Sequence, residues 1–213
     1  MKKKVLSFVL LVVLVMMLNS CTLPIIGDFI ESDESLGKTN NTAVTIAEAM
    51  KDYLVKKNRT DLSLYGIEMN LNSDGNGTVK LYYSKVIPEK LSYSAVYVAE
   101  VDSTTGHVER FSKADYSKDG LTPYQAVSVG IAFDAGSLPI DSEKAVSLGV
   151  HSFAADLDFH YDYVQIILSA PNDLEQYDIR YISMLNDKVY YAAIDAVSGS
   201  VISTSIGALE NYK

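Results

Sequence analysis

The sequence predicts an α+β protein of two tandem units, each a helix packed on a small antiparallel β-sheet. Three observations lead there. The pattern Asp-x-x-(Ser/Thr)-Gly-x-Val occurs twice, in VDSTTGHV (residues 101–108) and in IDAVSGSV (residues 194–201). A helical apolar period precedes each copy: Ala49 lies 53 positions before Asp102, and Ala145 lies 50 before Asp195. Between helix and motif run stretches rich in Tyr, Val and Ile, residue types that suit a pleated, half-buried surface.

Residues 1–20 read as an export signal. Lys2, Lys3 and Lys4 head an apolar run from Val5 to Leu18, too short for a comfortable membrane span and matched to a signal-peptide core. The run ends Leu18-Asn19-Ser20-Cys21, which resembles a bacterial lipobox with the lipid attached to Cys21. Cys21 is the one cysteine of the 213-residue chain, so it has no intramolecular disulfide partner. Lipid on Cys21 implies an extracytoplasmic lipoprotein held at the cell membrane, because each buried CH₂ contributes about 0.8 kcal/mol. Residues 21–42 show no sustained period and read as a tether. About 20 flexible residues span roughly 25 Å root mean square.

The first unit is expected over residues 43–116. Thr45-Ile46-Ala47-Glu48 has the form of a capping box. Ile46, Met50, Tyr53 and Leu54 then recur at helical spacing until about Asn58. Strands follow at 62–71, 77–86 and 93–101, with Ser73–Gly77 as a turn, and HVERF continues after the motif. Lys85, Pro88, Glu89 and Lys90 are placed to guard a strand edge. Residues 117–140 form a linker whose helix begins at Thr122-Pro123, with Thr as cap; residues 122–134 could instead open the second unit. That unit, 141–207, starts with Asp141 as cap and Ala145, Leu148, Gly149 and Phe153 on one face. Its strands are expected at 159–168, 177–185 and 188–194, then VISTSI, with a tail at 208–213.

The repeated motif is a hairpin device. Asp102 and Asp195 can accept from backbone N–H groups two residues on, supported by Thr105 and Ser198, while Gly106 and Gly199 supply positive φ. Val108 and Val201 should then return to the core. An alanine-bearing helix, antiparallel strands and this motif together resemble the PepSY domain, over roughly residues 43–111 and 141–205. That family occurs in propeptides of thermolysin-like peptidases, spore-germination accessory proteins and small secreted or lipid-anchored proteins. The resemblance implies binding or regulation of a peptidase, by inhibition or chaperoning, or service as a protein-contact module, and transfers no catalytic residue.

Composition narrows the function further. The chain carries 18 Lys+Arg and 27 Asp+Glu, a net charge of −9. Residues 1–20 hold three of those cations and no acid, so the remainder stands at −12, which disfavours nucleic acid. There is no G-x-S-x-G, H-E-x-x-H, phosphate loop or C-x-x-C. The expectation is a non-enzyme without cofactor. DLDFHYD leaves a second reading open, a lipoprotein that binds or senses a small ligand or metal ion, because Asp156, Asp158, His160 and Asp162 alternate as on one face of a strand. Same-face neighbours lie about 6.6 Å apart, so two could share a metal ion and four could not. The same alternation fits the wet face of an amphipathic strand. An unrecognised hydrolase is the third reading, with scarce nucleophile–base pairs to support it.

Overall fold

Thr42 starts the first helix, α1 (Ala43–Lys56), three residues earlier than the expected box. Its Oγ1 accepts from the Thr45 N–H while Thr45 Oγ1 accepts from the Thr42 N–H. The computed structural model describes residues 29–30, 35–36, 42–87, 92–171 and 173–212. The chain divides after Ile30; Phe29–Ile30 is a two-residue strand on the amino-terminal side, and residues 31–213 are described below.

Along α1 the buried positions are Ala43, Ile46, Ala47, Met50, Tyr53 and Leu54, the apolar stripe of the sequence. Asn58, at φ 55°, ends the helical path. Four strands follow: β1 (Ser63–Asn72), β2 (Gly77–Ile87), β3 (Ser92–Asp102) and β4 (Val108–Lys113). Then come α2 (Tyr116–Asp119), α3 (Thr122–Val129), a 3₁₀ turn at Ala135–Ser137 and α4 (Ser142–Ser152). The chain closes with β5 (Tyr163–Ser169), β6 (Gln176–Ser183), β7 (Lys188–Asp195), β8 (Val201–Ala208) and a 3₁₀ turn at Leu209–Tyr212.

All eight strands join one antiparallel sheet in the order β4-β3-β2-β1-β5-β6-β7-β8. Each meander therefore starts at the centre and runs outwards, and β1 pairs with β5 from Gly66↔Ser169 to Asn72↔Tyr163. Residues directly opposite share a face, so Leu81, Ile67, Leu168, Tyr177 and Ile194 form one buried row across five strands. α4 lies on this face. Tyr177 donates to Ile140 O (2.9 Å) and Tyr181 to Val146 O (2.7 Å). Gly149 makes the approach possible, since a Cβ there would stand 2.2 Å from the Tyr181 hydroxyl oxygen.

The opposite face carries α3, whose Ala126 packs over Gly66 and Tyr82. Beyond it the face is polar. Glu68, Lys80, Glu100 and Arg110 oppose one another in register, a row of alternating charge. α2 folds over the end of that row and brings Asp119 onto Arg110, with Nη2 on Oδ1 and Nη1 3.1 Å from Oδ2. The Arg110 and Asp119 side chains are 12% and 1% exposed.

One residue ties the two helix starts together. Asp141 caps α4 through its Ser142 N–H (2.6 Å), accepts the Val44 N–H of α1 (3.1 Å) and is hydrogen-bonded by Thr42 Oγ1. Ser142 Oγ accepts from the Ala43 N–H at 2.9 Å. Two helix amino-termini, each with unpaired N–H groups and partial positive charge, thus share one carboxylate. Asp141→Ala should lower the unfolding free energy by about 2 kcal/mol, the upper end for a single cap. A loss below half that value in a denaturant titration would show that the second helix gains nothing from it.

Several expectations are corrected here. The strand expected at 159–168 begins only at Tyr163, and residues 156–162 are turns and loop. The chain packs Phe159 against the Phe153 and Tyr190 rings there rather than continuing the ladder. Thr122 lies inside α3 and makes no side-chain cap; Leu121 occupies the cap position. Val108 is buried, but Val201 is 45% exposed because β8 lies at the end of the sheet. Lys85 guards no edge. It sits in β2, between β1 and β3, and pairs with Asp61 at 3.1 Å. Pro88, Glu89 and Lys90 lie outside the described residues, as does Cys21.

Candidate binding surfaces

The twin turns have one geometry. Asp102 Oδ1 accepts from the N–H groups of Thr104 (2.9 Å) and Thr105 (2.7 Å), and from the Thr105 hydroxyl (2.8 Å). Asp195 Oδ1 accepts from Val197 (2.9 Å) and Ser198 (2.7 Å). Gly106 and Gly199 adopt φ of 66° and 73°, and each donates its N–H 2.9 Å to the aspartate carbonyl. The backbone donors at Thr105 and at Ser198 hold the two carboxyls below the usual range. Each carboxylate is thus occupied by its own turn. The next pairing slips by one residue in both halves, between Glu100/Val101 and between Ala193/Ile194.

Ser35 and Leu36, within the stretch read as a tether, attach to the first turn. Ser35 Oγ donates to Thr105 O (3.1 Å) and the Leu36 N–H to Gly106 O (2.7 Å).

In the DLDFHYD stretch the carboxylates of Asp156 and Asp162 are engaged by nearby backbone N–H groups. Asp156 accepts from the Asp158 N–H (3.1 Å) and lies 3.9 Å from Lys188. Asp162 accepts from the Met184 N–H (2.8 Å) and pairs with His160 (3.2 Å). That backbone donor, more than the imidazole, holds Asp162 below the ordinary carboxylate range. Asp158 contributes its carbonyl, which accepts from Asn186. Among the described residues no group of three or more His, Cys, Asp or Glu converges as metal ligands. His151 lies on α4 with Nδ1 2.6 Å from Ser147 O, and His107 contributes its carbonyl to the first turn.

The two end strands of this eight-strand order differ in chemistry. β4 carries Glu109, Arg110 and Lys113. β8 reads VISTSIGA, without a charge, and among the described residues pairs only with β7. Ile202 is the extra residue of the bulge opposite Ala193. Leu209 donates to Asp187 O (3.0 Å), so by antiparallel alternation residues 203, 205 and 207 turn their backbone groups to β7. Thr204 and Ile206 turn theirs outward. Val201, Ile202 and Ile206 are 45–51% exposed.

A cleft of about 480 Å³ opens between α1, the start of β1 and the segment 132–136. Leu54, Leu62, Leu64, Tyr83 and Phe133 give it an apolar lining, and Glu48, Lys51, Arg59 and Asp134 are its charged members. Lys51 and Asp134 bridge it at 3.3 Å. Sequence reading missed this cleft, because its lining comes from positions 47 to 136 and shares no motif.

No protein-family profile matches the chain, and no curated protein matches it. Solved structures similar to it include a candidate lipoprotein from Clostridium difficile 630. That chain is 11% identical, aligns over 83% of this chain and 100% of its own, and gives a TM-score of 0.48. The Bacillus megaterium YpeB C-terminal domain is 12% identical over 84% of this chain and 70% of its own, with a TM-score of 0.26. Among the described residues no helix is long and apolar enough to cross a membrane.

Proposed function

We propose that this chain is an extracytoplasmic protein-contact module, anchored by lipid on Cys21, that takes up an extended segment of a partner along β8. The two halves are read as PepSY-like units fused through β1 and β5. This reading rests on the doubled order of helix, four strands and Asp-Gly turn. The observation that carries the function is the side of β8 that no described residue pairs. Unpaired backbone groups on an uncharged edge are a template for a further strand. Main-chain hydrogen bonds would supply affinity, and Ile206 with its exposed neighbours would supply side-chain contacts. A peptidase is the partner class implied by the resemblance. The protein would restrain or chaperone it by pairing with the edge of the substrate cleft or with the propeptide.

The test places a photo-crosslinking residue at Ser205 in cells of the host and compares the chain with its Thr204→Pro variant. Proline at 204 removes an outward N–H while leaving the β7 ladder intact. The expected result is one crosslinked peptidase, lost in the variant, with the melting temperature of the isolated protein shifted by no more than about 4 °C, the equivalent of roughly 1 kcal/mol. Undiminished crosslinking by the proline variant would remove β8 as the docking edge.

A further inference from the structure

We propose that the cleft between α1 and residues 132–136 binds an apolar chain that ends in a carboxylate, with Arg59 as the carboxylate receptor. This inference is independent of strand pairing at β8, which lies in the other half of the sheet. Two properties of the site lead to it. The first is its body. A volume of about 480 Å³ falls within the range of small-ligand sites, and the lining of Leu54, Leu62, Leu64, Tyr83 and Phe133 is apolar.

The second is the state of Arg59. Its side chain is 19% exposed, so most of it is withdrawn from bulk water. Its guanidinium lies over aromatic rings, with Cζ 4.5 Å from the Tyr97 centroid and 5.7 Å from that of Phe111. A cation held over an aromatic face spends none of its N–H donors on that contact. Its nearest acid, Asp61, stands 3.7 Å away from Nε, beyond hydrogen-bond range, and is itself engaged by Lys85 at 3.1 Å. The other cation of the cleft, Lys51, is paired with Asp134. Arg59 therefore brings guanidinium donors to the cleft lining with no hydrogen-bond acceptor among the described residues. A planar carboxylate fits a guanidinium with two parallel bonds. A phosphate dianion fits poorly, because Glu48 and Asp134 line the same cleft and would repel the second charge.

The same chemistry occurs at the carboxy-terminus of an apolar peptide and at the head of a fatty acid. The full chain, reconstituted in phosphatidylcholine nanodiscs, would be titrated calorimetrically with N-acetyl-Leu-Leu-Phe, with its C-terminal amide and with decanoate, subtracting empty nanodiscs. The expected result is saturable binding of an acid, with the amide at least about tenfold weaker, as loss of one charge-assisted bond implies. Binding confined to the peptide acid assigns a peptide terminus, and binding confined to decanoate assigns a fatty acid. Arg59→Met should retain the stacked bulk and lose the discrimination between acid and amide. Equal affinity for acid and amide, or no saturable heat from either acid, overturns the proposal. Should Arg59→Met fail to fold, the acid–amide comparison on the unaltered chain still decides.

Discussion

Phe153→Ala is expected to lower the unfolding free energy by about 3–5 kcal/mol, the range for removing a buried aromatic ring. Phe153 ends α4, is 5% exposed and stacks on Phe159 with centroids 5.5 Å apart. It also meets Tyr190 at 5.3 Å and Tyr181 at 6.1 Å, both edge-on. Phe159 in turn touches Tyr161, Tyr181 and Tyr190. The ring therefore joins the helix end, the 156–162 loop and two strands, and an alanine would leave a space that none of them can fill alone. Urea unfolding of the variant should show a lower midpoint with an unchanged slope. A loss under about 1 kcal/mol would mean that Phe159 relaxes into the vacancy.

The second large effect belongs to Arg110→Ala, expected to cost about 3–5 kcal/mol because it strands a buried carboxylate. Burial pulls the Asp119 carboxyl upward, but the Arg110 hydrogen bonds, the Asp115 N–H (2.9 Å) and the Arg110 charge outweigh it and hold it below its usual value. A depressed carboxyl contributes stability that is present above its unfolded pKa, about 3.9, and is lost as pH falls through the folded value. The difference between the chain and its variant should therefore be full at neutral pH and shrink below about pH 4. A difference that stays constant from pH 7 to pH 3 would assign the loss to packing of the arginine stem instead.

What the sequence made legible follows from how local each signal is. The α1 stripe, the Asn72–Gly77 turn and the twin Asp-Gly turns are fixed by residues within a few positions of one another, and periodicity or turn chemistry reveals them. DLDFHYD shows where that logic fails. Its alternation is real, but the stretch is a loop whose Phe159 and Tyr161 complete a five-ring cluster with Phe153 at the end of α4, Tyr181 of β6 and Tyr190 of β7. Period alone carries no record of such distant partners. Lys85 was misplaced for a related reason. Strand order is a tertiary fact, and nothing local says that β2 is interior while β8 is outermost. Val201, in a motif otherwise equal to that of Val108, is exposed for the same cause. The cleft is further still from local reading, since Arg59 becomes a receptor only through Tyr97 and Phe111, contributed by β3 and β4.

The central place of β1 and β5 also bears on how a chain made from its amino-terminus is completed. When the ribosome has finished β4, every strand of the first meander has its sequential neighbour, yet β1 has one side without a mate. That vacancy spans Gly66 to Asn72, later matched by Ser169 to Tyr163. Its mate arrives only after the 49 residues between β4 and β5 have been made. Asp141, the shared cap of α1 and α4, lies in that interval and so is made before β5. In the finished sheet the second meander is the piece that closes the inner border of the first.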